Sequence, residues 1–188
     1  MECFMTLLHM CFRLFKFSSP SSGADDNGTD NPPLRGKYDV FISFRGEDTR
    51  FKITTSHLHA ALLQRKIETY IDCNLQRGEK IGPALLEAIE KSTLSVIIFS
   101  QNYVSSTWCL EELVHILKCK QNSGKIVIPI FYDINPSDVQ RQCGSYARAF
   151  AQLEKRFNDS IDKVQKWRDD LTTAASLSGL IIQKNQGN

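Results

Sequence analysis

From residue 37 onward, short apolar runs alternate with stretches whose apolar positions recur every three or four residues. "YDVFISF" (38–44) is a short apolar, β-branched and aromatic run, the pattern of a buried strand. In "TTSHLHAALLQRK" (54–66), Leu58, Ala61, Leu62 and Arg65 lie at helical spacing behind Thr and Ser residues suited to cap a helix. "IETYID" (67–72) reads as a strand, and "CNLQRGEK" (73–80) as a loop carrying Gly78. "GPALLEAIEKS" (82–92) reads as a helix with Pro83 in its first turn. "LSVIIFS" (94–100) is a strand, and "SSTWCLEELVHILKCKQ" (105–121) a helix stopped near Gly124. "KIVIPIFYD" (125–133) is a strand in which Pro129 points to an edge or an irregular position. "NPSD" (135–138) reads as a turn. Two helices follow, over 144–157 and 161–176; the second carries Ile161, Val164, Trp167, Leu171 and Ala174 on one side.

Strand–helix alternation of this kind predicts an α/β fold, a parallel sheet covered by helices on both faces. Ligands of such sheets bind beyond the carboxyl ends of the strands. Three loops leave those ends first: "RGEDTR" (45–50), "CNLQRGEK" (73–80) and "QNYVSSTW" (101–108). Arg45, Gly78 and the first turns of the helix over 105–121 are therefore expected on the functional edge.

That helix has an odd feature. Leu110, Leu113, Val114 and Leu117 form one apolar stripe. At about 100° per residue, Trp108 and Glu112 lie one turn apart and project from roughly the opposite side. Sequence alone thus expects an aromatic ring and a carboxylate to share a face that looks into a cleft.

The rest of the chain changes the picture little. Its 188 residues suit one domain with a tail, and its 41% hydrophobic and 23% charged content is ordinary globular usage. A net charge of +2 gives no reason to propose a nucleic-acid or membrane-surface partner. Six cysteines, with no C-x-x-C pair, read as reduced intracellular thiols, and four scattered histidines show no metal-ligand spacing. "MECFMTLLHMCFRLFKF" is too interrupted by His9, Arg13 and Lys16 for a signal peptide or a membrane span. A weak interfacial helix or an unstructured leader both fit it. "SSPSSGADDNGTDNPPLRG" (18–36) has the composition of a linker. The expected organisation is a leader and linker over 1–36, a domain over 37–180 and a tail over 181–188.

Six blocks, in order, give the chain a family look: "YDVFISFRGEDTR", "SHL", "LQRGEKIGPALLEAIEKS", "VIIFSQNYVSSTWCLEEL", "IPIFYDINPSDVQRQCGSYARAF" and "WRDDLTTAASLSG". Together they resemble a plant TIR (Toll/interleukin-1 receptor-like) domain, from about Lys37 to Leu180. The resemblance implies a flavodoxin-like three-layer sandwich, with a five-stranded parallel sheet and about five helices. It implies a cytoplasmic protein of plant immune signalling and cell death, with the nucleus open as a second compartment. Many such domains cleave the nicotinamide–ribose bond of NAD or NADP and release nicotinamide and ADP-ribose-type signals. That activity depends on self-association, with copies of the same chain or with other TIR domains. NAD(P) is then substrate; no cofactor, metal, nucleic acid or membrane span is implied.

Carried over by motif, the catalytic glutamate is Glu112, with Glu111 at the variable position. Trp108, Ser106, Arg45, Gly46 and Gly78 fall on substrate-binding positions, and Ser56 and His57 on the self-association surface of the first helix. Related sequences have one residue fewer than "FKITT" between "GEDTR" and "SHL", which puts that surface in question. The chain has no G-x-x-x-x-G-K-[ST] phosphate loop, so a TIR-only protein or a piece of a larger receptor is expected.

The chemistry is coherent. Nicotinamide in NAD is a cationic leaving group that departs neutral, so no general acid is needed and one carboxylate can stabilise an oxocarbenium-like transition state. Trp108 offers a stacking wall, Arg45 a phosphate or hydroxyl partner, and Ser106 a hydrogen bond. Taken singly, each residue also has a plainer reading. Glu112 would be a solvated glutamate favoured by the helix dipole, and Trp108 a packing ring. Arg45 would be a partner of Glu47 or Asp48, Gly78 a turn, and Cys109 a buried thiol. A catalytically silent TIR–TIR interaction module is the alternative to the enzyme. A flavodoxin-like flavin binder or phosphoacceptor lacks the acidic cluster and the flavin loop such proteins need.

Overall fold

The computed structural model describes residues 37–46, 48, 58–71 and 82–183. Five strands form one all-parallel sheet: β1 (Tyr38–Phe44), β2 (Thr69–Ile71), β3 (Ser92–Phe99), β4 (Ile126–Tyr132) and β5 (Leu180–Ile182). Their order is β2-β1-β3-β4-β5, so the long apolar runs read from sequence as β1, β3 and β4 make the centre. The helices are α1 (58–64 as described), α2 (Pro83–Glu90), α3 (Thr107–Ser123), α4 (Pro136–Arg141), α5 (Ser145–Arg156) and α6 (Ile161–Ala175). This is the expected flavodoxin-like α/β sandwich.

The side-chain period of two divides the core in half. Val40 and Ile42 of β1, Val96 and Ile98 of β3, and Ile128 and Ile130 of β4 pack with Leu58 and Leu62 of α1 on one face. Phe41, Ile97, Phe99, Val127 and Phe131 point to the other, where α2, α3, α5 and α6 cover them. Trp167 of α6 is fully buried there, and its ring meets Phe157 edge-on. Val164, Leu171 and Ala174 share that buried side, whereas Ile161, expected with them, is exposed at the first residue of the helix.

Some boundaries and assignments move. The segment 135–138 is not an isolated turn but the start of α4. Asn135 accepts from the Ser137 N–H, Pro136 occupies the first turn, and Asp138 meets the positive helix end. Residues 181 and 182, expected in a tail, belong to β5; three residues are too few to show a period. Pro129 lies on β4, which is not an edge strand. The β4–β5 ladder begins only at Ile130, however, so the outer side of β4 is unladdered at the proline. Gly179 follows from this crowding, because any Cβ there would collide with the Pro129 carbonyl oxygen. Helix α3 ends as expected at Gly124, in the left-handed region at φ 67, with its N–H on Lys120 O at 3.0 Å.

Candidate functional site

The carboxyl end of β1, the loop after β3 and the first turns of α3 meet at one edge of the sheet. Ser106 caps α3, its Oγ accepting from the Cys109 N–H at 3.3 Å. Before it, Tyr103–Ser105 form a 3-10 turn whose Tyr103 and Val104 are fully buried. Trp108 is half-buried against the core cluster on this face of the sheet.

Glu112 is not on an open far face. It is only 5% exposed. The buried side of α3 holds Cys109, Leu110, Leu113, Ile116, Leu117 and Cys119, while Val114 is only half-buried. Adding Cys109, Ile116 and Cys119 and discounting Val114 turns the centre of that side by roughly 60°, which brings Glu112 to its flank. The cause is packing: α2, α6, β1 and β4 all touch α3 and bury more than a narrow stripe.

A carboxylate so placed must be hydrogen-bonded. Ser43 of β1, fully buried, donates to Glu112 Oε2 at 2.5 Å. Ser43 Oγ also lies 3.0 Å from the Tyr103 hydroxyl, which donates to the Cys109 carbonyl at 3.0 Å. Burial, then the charges of Cys109 and Glu112, push the Tyr103 pKa well above its usual value, so its hydroxyl stays protonated. Burial and Glu112 likewise push the Cys109 thiol up, and its Sγ donates to the Phe44 carbonyl at 3.6 Å. Cys109 is a buried thiol and no nucleophile. The neighbouring Glu111 turns the other way, in a 2.5 Å charge contact with Lys163 of α6 that lacks hydrogen-bond geometry.

The loops on either side are tied together. Arg45 Nη1 donates to the Asn102 carbonyl at 3.1 Å. Asp48 accepts from Ser100 Oγ at 2.5 Å and from Asn102 Nδ2 at 3.0 Å. Tyr146 of α5 donates to the Ser100 carbonyl at 2.8 Å from a buried position. Gly46 is in the turn between Arg45 and Asp48, closed by Asp48 N–H on Arg45 O at 3.4 Å.

Of the residues expected at the site, Arg45, Gly46, Ser106, Trp108 and Glu112 thus stand at this sheet edge. Gly78, Ser56 and His57 lie outside the described residues, as do Glu47 and the extra residue before Ser56. Ser43, Tyr103 and Asp48 were missed as members. A visible signal existed for Ser43: a polar side chain at the Phe41 face of a strand whose other polar residue, Asp39, stands at its start. Among the described residues no group of three or more His, Cys, Asp and Glu could hold a metal, and no helix is long and apolar enough to cross a membrane.

A family model described as TIR domain matches residues 37–188. The chain is 50% identical over 165 residues to disease resistance protein RPV1 of Vitis rotundifolia, covering 88% of this chain and 11% of that protein. It is 47% identical over 146 residues to TMV resistance protein N of Nicotiana glutinosa, covering 77% of this chain and 13% of that one. It therefore spans about a tenth of the length of the curated relatives it matches. Among solved structures, the TIR domains of the activated Roq1 resistosome, which directly recognises the pathogen effector XopQ, are 49% identical to it. They superpose with a TM-score of 0.72, covering 77% of this chain and 87% of that one. The chain belongs to the TIR domain family found in plant disease resistance proteins.

Proposed function

We propose that this domain cleaves the nicotinamide–ribose bond of NAD or NADP in plant immune signalling, as a cytoplasmic assembly of TIR domains. One observation carries the reading. A single glutamate, Glu112, is buried at the carboxyl edge of a parallel sheet and gripped by a hydroxyl, on the sheet edge where Trp108, one helical turn before it, and Arg45 also stand. Burial of a carboxylate costs free energy that a surface glutamate avoids, and burial at the sheet edge where ligands of such folds bind favours a use for the charge.

The reaction asks little more of the protein. Nicotinamide leaves as a neutral ring, and positive charge develops on the ribose. Glu112, itself largely shielded from solvent, stabilises that charge and orients the ribose hydroxyls. Trp108 stacks beside the nucleoside, while Arg45 and Ser106 meet phosphate or hydroxyl oxygens. Water or a hydroxyl of the substrate itself then takes the anomeric carbon, which gives linear or cyclic ADP-ribose-type products.

The test is nicotinamide release from NAD by purified protein at high concentration, wild type beside Glu112→Ala. Release by the wild type alone supports the reading, and equal release by both sinks it. Specific activity is expected to rise with protein concentration; a flat value over a hundredfold dilution counts against control by assembly. A second reading, a silent TIR–TIR interaction module, is favoured by the solved relative's being part of a resistosome. Self-association without any release would select it.

A further inference from the structure

Ser43 and Tyr103 are both fully buried, at the end of β1 and in the turn before α3, sixty residues apart in sequence. Each hydroxyl has one hydrogen to give. Three contacts connect them with their neighbours: Ser43 to Glu112 Oε2, Ser43 to Tyr103, and Tyr103 to the Cys109 carbonyl. When Glu112 is ionised, as the reading of the reaction requires, it supplies no hydrogen. The Ser43 hydrogen is then committed to Oε2. Any hydrogen in the contact between Ser43 and Tyr103 must then come from Tyr103, whose hydroxyl has both Ser43 and the Cys109 carbonyl at 3.0 Å to choose between. The chain of hydroxyls therefore has one direction, from Tyr103 to Ser43 to Glu112.

We propose that Ser43 and Tyr103 are positioning residues for Glu112, a serial relay that fixes Oε2 from the sheet. The proposal rests on the reading of Glu112 as the catalytic carboxylate. Two features set the relay apart from buried hydroxyls that merely satisfy one another. The Ser43–Glu112 contact, at 2.5 Å, is in the range of charge-assisted bonds between a hydroxyl and a carboxylate. And Tyr103 sits beside Asn102, which Arg45 and Asp48 both hold, so the relay begins in the loops that flank the site.

Steady-state nicotinamide release by the full chain, with circular dichroism as the fold control, tests this. Ser43→Ala is expected to lower kcat about tenfold or more, with KM changed by no more than about twofold, because a bond to a charged group is lost from the reacting state. Tyr103→Phe keeps the ring and is expected to lower kcat about threefold. In series, the double variant should be little worse than Ser43→Ala alone. Wild-type kcat in folded Ser43→Ala, or a rise in KM alone, overturns the relay while an inactive Glu112→Ala leaves the reading of the site intact. An active Glu112→Ala overturns that reading instead, and with it the relay. Should Ser43→Ala not fold, Tyr103→Phe decides: an unchanged kcat overturns the proposal.

Discussion

Helices α3 and α6 pack against each other, and each buries one acid: Glu112 at 5% exposure and Asp170 at 4%. The two are managed differently. Asp170 Oδ1 pairs with Lys166, one helical turn away, at 2.8 Å, and the lysine itself is half in water. Its Oδ2 is buried without a hydrogen-bond partner. Burial raises the Asp170 pKa against the opposing pull of Lys166. Glu112 instead takes its hydrogen bond from another element of the fold, β1, through a hydroxyl that is itself held by the loop after β3. Asp170 is tethered to its own helix and could be lost with little reorganisation. Glu112 is referenced to the sheet, and a group tied to the rigid centre of a fold keeps its geometry. The contrast is between pairing within one helix and pairing across the fold; under the proposed function only the second acid is put to use.

The strongest way to break the comparison is to neutralise each acid without changing its volume. Glu112→Gln is expected to cut nicotinamide release by about a hundredfold or more, the scale of losing a preorganised electrostatic contact, and Asp170→Asn to leave it at the wild-type value. Equal losses in both variants would show that burial alone, not placement, sets the effect.

A smaller effect sharpens the Glu112 side. Asp48→Ala removes the acceptor of Ser100 and Asn102 and frees the loop that carries Tyr103. About 1–3 kcal/mol of stability should go with it, read as a lower midpoint in urea, together with a severalfold fall in release. Undiminished release would mean that the loop holds its place without the clamp.

The smallest effect concerns Asp170 alone. Its folded pKa lies above its ordinary value of 3.8, so between the two values the native state binds more protons than the unfolded chain. Its contribution to stability is therefore greatest below 3.8 and is lost as pH rises through the folded value. Asp170→Asn is free of that loss. Its Tm relative to wild type should rise by at most a few degrees as pH goes from about 3 to about 6. The opposite trend in thermal melts would show that the Lys166 pair outweighs the burial.

The sequence made much of this visible, and its failures have physical causes. The runs "YDVFISF", "LSVIIFS" and "KIVIPIFYD" marked the three central strands because strands buried on both faces are apolar throughout. Helix α6 was legible from its period. Strand β5 was not, since three residues hold no period, and α4 hid behind a proline that served as a helix start rather than a turn. At the candidate site, Arg45 was legible from the sheet-edge rule, Ser106 from family resemblance, and Trp108 and Glu112 from helical spacing, to which the resemblance added roles. Their periodicity then misled about burial, because the Leu110–Leu117 stripe left out Cys109, Ile116 and Cys119. Tyr103 and Asp48 escaped because their roles depend on contacts fifty to sixty residues apart, which no local pattern encodes, and Ser43 stood out only as a polar residue in a mostly apolar strand, with nothing local to name its partner.

The outermost strands of the sheet are short: β5 has three residues and β2, as described, three. A partner chain adding itself along the β5 flank would gain only a few main-chain hydrogen bonds, and β4 beyond β5 offers Pro129, which has no N–H to donate. Such ends resist the open-ended ribbon growth that threatens any exposed sheet. Contacts with another chain on that flank are then left to side-chain surfaces on helices and loops.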